Sequence, residues 1–158
     1  MNQELRFERV SDENFNDFVY LIEKLAEYEK SDPPDEQAKL RLREDGLSEN
    51  PKYEAYLARI DNKVVGYAIF FMTYASYLAL PTLYLEDIFV LEGFRNKGIG
   101  QRLFQFCVSQ AKERECGRME WCVFNWNKDA IRFYKKNGAI RLNKTYYRLD
   151  KAKIDSLG

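Results

Sequence analysis

Three short stretches of this chain carry side chains at spacings that could do chemistry. FRNKGIGQRLF, Phe94 to Phe104, sets two glycines one residue apart, with Arg95 and Lys97 before them and an apolar helical pattern after. Glycine at 98 and 100 lets a backbone approach a ligand closely and adopt positive φ. The N–H groups entering the next helix would face outward at the positive end of its dipole, which suits a pyrophosphate. The stretch is not a Walker loop, because Gln101-Arg102 stand where Gly-Lys-Ser/Thr is needed. It is not a dinucleotide fingerprint either, since Leu103 occupies the place of the third glycine. A plain turn between a strand and a helix reads equally well from these residues alone.

The second stretch is LYLEDIFV. Leu83 and Leu85 alternate in one phase, Ile88 and Val90 in the other, so the phase slips at Glu86-Asp87. A bulge there would splay the strand from its neighbour and leave backbone groups unpaired. A strand buried on both faces is the other reading, because Tyr84 and Phe89 are apolar too. The third stretch is WNKDAIRFYKKNGA. Asn127 suits a helix cap, and Tyr134 lies two turns along on the same face. From these residues alone Ile131 and Tyr134 read first as core positions.

Composition narrows what these groups can do. The chain has no histidine. Ser-His-Asp and Cys-His nucleophiles and the common catalytic zinc sets are thereby removed, so any catalysis runs on carboxylates, Tyr, Lys, Cys, backbone dipoles or water. Twenty-five basic and 25 acidic residues cancel, which gives no basic excess for nucleic acid. Cys107, Cys116 and Cys122 have neither paired spacing nor an even count, so the expectation is buried reduced thiols, with no disulfide framework or metal site. No window approaches 18 apolar residues, and MNQELRFERV has no secretory pattern. A cytoplasmic protein without a membrane span is expected.

The elements that must position these groups follow from periodicity. Leu5 to Val10 reads as a strand, then Ser11 or Asp12 caps a helix striped by Phe15, Phe18, Val19, Ile22, Leu25 and Ala26. After the Ser31 to Pro34 loop, a polar helix runs from Asp35 to Asp45 and stops at Gly46. Tyr53 to Ile60 and Val64 to Thr73 form a hairpin, and Tyr74 to Thr82 a proline-containing connection. Leu83 to Leu91 is a strand, Gln101 to Arg114 a helix, Arg118 to Phe124 a strand, and Asn127 to Asn137 a helix closed by Gly138. Ala139 to Leu142 and Thr145 to Asp150 read as a final strand pair. With 158 residues and no long linker, the expectation is one mixed α/β (α+β) domain over 1–158.

LYLEDIFV, FRNKGIGQRL and WNKDAIRFYKKNGA together resemble the GNAT superfamily of acetyl-CoA-dependent N-acetyltransferases. Within it, the chain is similar to the diamine (spermidine/spermine) and thialysine N-acetyltransferase branch. LAEYEKSD, LREDGLSENPKYEAYLA and VVGYAIFFMTY extend the likeness over nearly the whole chain. The resemblance implies a splayed, mostly antiparallel sheet with acetyl-CoA wedged at the splay and no metal. It further implies a homodimer and a primary-amine acceptor, a polyamine, diamine or thialysine-like molecule. A protein or amino-acid N-acetyltransferase and a non-catalytic CoA-binding module are the alternatives.

Residue roles carried by the resemblance are these. The backbone of Ile88, Phe89 and Val90 holds the acetyl-pantetheine arm, and Arg95, Asn96, Lys97, Gly98, Ile99, Gly100 and Gln101 hold the pyrophosphate. Asn127 contacts the cofactor arm, with Lys128, Asp129 and Ala130 beside it. Tyr134 is the acid that protonates the departing thiolate. Glu86, with Asp87, Tyr28 and Glu29, binds the amine, and Glu86 through water helps deprotonate it. That step matters because an alkylamine of pKa about 10.4 is nucleophilic in roughly one molecule in a thousand near neutrality. The chain departs from the family in its short tail after Gly138, in Tyr146-Tyr147 where a tryptophan is common, and in TYASYLALPT.

Overall fold

The apolar stripe of the first helix and the alternating runs that follow it assemble into a helix–sheet–helix sandwich. The computed structural model describes residues 4–158. β1 (Leu5–Arg9) leads to α1 (Phe15–Glu29) and α2 (Glu36–Leu47). β2 (Glu54–Ile60), β3 (Lys63–Ala75) and β4 (Leu80–Val90) follow, then α3 (Ile99–Glu113) and β5 (Arg118–Glu120). The strands lie in the order β1-β2-β3-β4-β5, antiparallel except for β4 with β5.

Two bulges decide which side chains face which helix. Register shifts at Ala58/Arg59 against β3, so Val65 falls between the partners of the pairs Ala58↔Gly66 and Arg59↔Val64. Val65 then packs with Leu5, Ala58 and Ile99 of α3, while Tyr67 and Ile69 pack with Phe18, Leu21 and Leu25 of α1. The second shift lies on β4, where Ile69↔Asp87 is followed by Phe70↔Leu85 and Glu86 is the extra residue. This is the slip read from LYLEDIFV. It keeps Leu85 opposite Phe70 and turns Asp87 and Phe89 to the side of Ile69 and Tyr67, under α1.

Several boundaries differ from the sequence expectation. Helix α1 starts at Phe15, and its N-cap is Asn14, not Ser11 or Asp12. Asn14 is buried because Oδ1 accepts from Ser11 N–H at 2.8 Å and Nδ2 donates to the Arg9 carbonyl at 3.1 Å. The 74–82 connection is largely strand, since β3 and β4 pair as far as Ala75↔Leu80 and only a tight turn ending at Ala79 (φ 53°) remains. Proline 81 misled because it weakens interior strands, yet it is tolerated near a strand start. Of the thiols only Cys107 is buried; Cys116 is half-buried and Cys122 exposed.

Strand β5 ends at Glu120, four residues before the expected Phe124, because its pairing with β4 stops at Tyr84↔Glu120. Among the described residues, β4 from Leu85 to Val90 is laddered only to β3. The sheet therefore splays where the bulge begins.

The backbone falls into two compact units, the first ending at Cys122 and the second spanning Val123–Gly158. In the second, α4 (Lys128–Lys136) is capped by Asn127, whose side chain accepts from Ala130 N–H at 3.2 Å, and Gly138 follows at φ 83°. The expected strands at 139–142 and 145–150 are absent there. Residues 139–150 are irregular and mostly exposed, and a last helix, α5 (Lys151–Leu157), follows. A two-stranded ribbon without a buried face is marginal in water.

Candidate acetyl-transfer site

The bulge at Glu86 does for the site what a one-residue slip does for any strand: it redirects side chains. Glu86 is exposed, and Asp87 is half-buried on the α1 side. The Tyr67 hydroxyl, from the middle of β3, donates to Asp87 Oδ2 at 2.9 Å. Tyr67 itself is fully buried against Phe18 and Phe89. Burial, with the charge of Glu86 and Glu29 adding to it, raises the Asp87 carboxyl to about 6 despite the Tyr67 hydrogen bond that lowers it. Burial first, then the Asp87 charge, pushes the Tyr67 phenol well above its usual range. Burial also raises Glu29, which is the last residue of α1. Three carboxylates and a phenol thus converge where the sheet splays.

The Gly98 loop lies at the far end of β4. Gly98 takes φ 78° and Asn96 φ 60°, two left-handed residues within three, and the chain then enters α3. No side chain caps α3, and its first turn holds no acid, so no carboxylate of that turn competes for its leading N–H groups. A Cβ on Gly100 would meet only Val90 Cγ2, at 3.8 Å, an ordinary contact. Glycine there is not demanded by the protein's own packing, whereas Gly98 is demanded by its φ.

The cations of the loop have partners within the protein. Arg95 donates from Nε to the Val90 carbonyl at 2.9 Å, with its guanidinium 4.5 Å from the Tyr28 ring centre and 5.4 Å from that of Phe89. Lys97 Nζ donates to the Gly93 carbonyl at 3.1 Å. The structure therefore gathers Tyr28, Phe89 and Arg95, with Glu29 next to Tyr28, joining the predicted cofactor loop to the predicted amine contacts. Sequence reasoning missed Tyr67, the one hydroxyl in the otherwise apolar run GYAIFF of β3. It also missed the stacking of Arg95.

Asn127, Lys128, Asp129, Ala130 and Tyr134 belong to the second unit. Asn127 serves as the cap described above, Asp129 pairs with Arg132, and Tyr134 packs edge-on against Phe133 with centres 5.4 Å apart. A shallow depression of about 310 Å³ between the Arg9–Asp12 and Gly46–Ser48 segments shares no residue with any of these groups.

Comparisons with known proteins bear on the family and the fold. The Acetyltransferase (GNAT) family profile matches residues 16–139. Thialysine N-epsilon-acetyltransferase of Mus musculus is 30% identical over 148 residues, 89% of this chain and 86% of the mouse enzyme. L-ornithine N5-acetyltransferase NATA1 of Arabidopsis thaliana is 43% identical over 93 residues, and the match spans only 41% of that enzyme. Among solved structures, an integron cassette protein from V. cholerae superposes with a TM-score of 0.81 at 27% identity, covering 97% of this chain and 96% of that one. The fold also matches aminoglycoside N-acetyltransferase AAC(6')-Iy in complex with CoA, with a TM-score of 0.80 at 17% identity over 96% and 97% of the two chains. The chain belongs to the GNAT acetyltransferase family. It is an acetyl-CoA-dependent N-acetyltransferase with thialysine and polyamine acetyltransferase homologues.

Proposed function

We propose that this enzyme acetylates a small cationic primary amine, a diamine, polyamine or thialysine-like molecule. The observation that carries this reading is the convergence of Glu29, Glu86 and Asp87 on Tyr67 at the bulge. Three acidic groups beside a buried phenol favour an ammonium over a neutral or anionic acceptor. An ornithine- or lysine-like amino acid is the second reading, favoured by the 43% identity to the ornithine enzyme.

In the proposed reaction, the α3 N-terminus and the 95–101 loop take the pyrophosphate. The stretch Ile88, Phe89 and Val90, which among the described residues is laddered only to β3, offers backbone groups to the acetyl-pantetheine arm, and Asn127 with its neighbours Lys128, Asp129 and Ala130 offers further contacts. Tyr28, Glu29, Glu86 and Asp87 hold the amine. Its nitrogen attacks the thioester carbonyl directly, the C–S bond breaks, and Tyr134 gives a proton to sulfur. The amine proton leaves through water near the carboxylates. The enzyme works as a homodimer, which light scattering tests directly.

CoA release across a panel of amines, amino acids and peptides tests the reading. Diamines and thialysine-like amines should be turned over fastest. Turnover of peptides alone, or of none, would overturn it.

A further inference from the structure

We propose that Tyr67 is a positioning residue for this reaction, its buried hydroxyl fixing the Asp87 carboxylate at the bulge as the group that receives the amine's proton. The inference rests on the acetyltransferase reading above and narrows it to one carboxylate.

Geometry separates the two acids on β4. Glu86 is the extra residue of the bulge and is exposed, and no hydrogen bond among the described residues holds it in a fixed direction. Asp87 is fixed. It lies opposite Ile69 in the ladder, one of its oxygens accepts from Tyr67 at 2.9 Å, and Tyr67 cannot swing because its ring is enclosed by Phe18 and Phe89. A carboxylate with one oxygen occupied presents the other in a defined direction, the property a proton acceptor needs.

The groups that face Asp87 are Tyr67 from β3, Glu86 from its own strand and Glu29 from α1. Arg95, from the neighbouring loop, is stacked over Tyr28 and Phe89. Burial raises the Asp87 carboxyl, with the two acids adding to it, and the Tyr67 bond holds it down to about 6. A carboxylate in that range is ionised at neutral pH yet basic enough to accept a proton from an ammonium as it is consumed.

The proton balance is simple. One N–H bond of the ammonium breaks and its proton moves to Asp87, leaving a lone pair on nitrogen for attack. The second N–H proton replaces the one that Tyr134 donates to sulfur. Asp87 then releases its proton to water.

Tyr67→Phe keeps the ring and removes only the hydrogen bond. In the full-length enzyme, kcat at saturating amine and acetyl-CoA should lose activity on the acid side with a midpoint near 6. In Tyr67→Phe that midpoint should rise by about one pH unit, the effect of one hydrogen bond to a carboxylate, and the plateau should fall about tenfold as Asp87 loses its fixed direction. Asp87→Asn should lower the plateau about 10²–10⁴-fold and abolish the acid limb. A Tyr67→Phe profile scaled down uniformly, with its midpoint unmoved, would make Tyr67 a packing residue. An Asp87→Asn enzyme that keeps the limb would move the proton acceptor elsewhere. Carbon NMR titration of the Asp87 carboxyl gives a readout independent of turnover, and its midpoint should also rise in Tyr67→Phe. If no amine supports CoA release, the acetyltransferase reading fails and so does the catalytic role. An unmoved NMR midpoint overturns the Tyr67–Asp87 pairing in either case.

Discussion

At the scale of single residues, the groups with the most chemistry are those whose surroundings oppose their charge. Asp87 is raised to about 6, chiefly by burial, so the native chain holds a proton that the unfolded chain has already lost at lower pH. Below about pH 4 both forms are protonated and Asp87 has no effect on stability. Between about 4 and 6 its contribution falls as pH rises, and above 6 the full cost, on the order of 3 kcal/mol, persists. Asp87→Asn keeps an oxygen for Tyr67 and removes the charge. It should melt several degrees above the parent at pH 8 and close to it at pH 4. An equal gain at both pH values would assign the effect to packing. Tyr134 gives a second prediction. Tyr134→Phe should lower kcat about 10²–10⁴-fold with the acetyl-CoA Kd nearly unchanged, as stopped-flow and calorimetry would report. Near-parental kcat would leave the sulfur to be protonated by water. The Cys107 thiol is pushed up to about 12 by burial and offers no substitute.

At the scale of elements, what the sequence made legible is what periodicity encodes. The change of phase between Leu85 and Ile88 marked where the bulge lies, because a bulge is a phase change, while the apolar Tyr84 and Phe89 left a strand buried on both faces as the other reading. The stripe of α1, the cap at Asn127 and the stop at Gly138 were legible for similar local reasons. The cap at Asn14 was not, since Ser11 and Asp12 are equally good caps and only the contacts with Arg9 and Ser11 decide. The Tyr67–Asp87 bond was also hidden, because it joins residues twenty apart through a register no local pattern contains. Gly66 shows the same dependence on register. A Cβ there would lie 2.5 Å from the Phe89 carbonyl oxygen, so β3 and β4 can approach only with glycine at that position. Gly66→Ala should therefore destabilise the fold by about 1–3 kcal/mol, measured by urea unfolding. A change within 0.5 kcal/mol, on the order of a surface substitution, would show that the ladder relaxes freely.

At the scale of the whole molecule, a neutral, histidine-free chain reads its partners through local charge, since its 25 basic and 25 acidic residues cancel. On the proposed reading, the sign of the acceptor is set at the bulge and that of the cosubstrate at the start of α3. Gly100→Ala separates the second from the protein's own needs. The methyl fits and favours helix, so stability should hold or rise while acetyl-CoA affinity falls about tenfold or more. Unchanged affinity would make the loop only a turn. The central claim concerns the acceptor, and one comparison tests it most directly: kcat/KM for a diamine against an amino-alcohol of equal length, in the parent and in Glu86→Gln. The parent should prefer the diamine about five- to tenfold, the size of a partly exposed ion pair. Glu86→Gln should reduce that preference, since Glu29 and Asp87 keep their charge, and leave the KM for acetyl-CoA unchanged. Equal kcat/KM for both acceptors in the parent, or a preference undiminished in Glu86→Gln, would contradict the account.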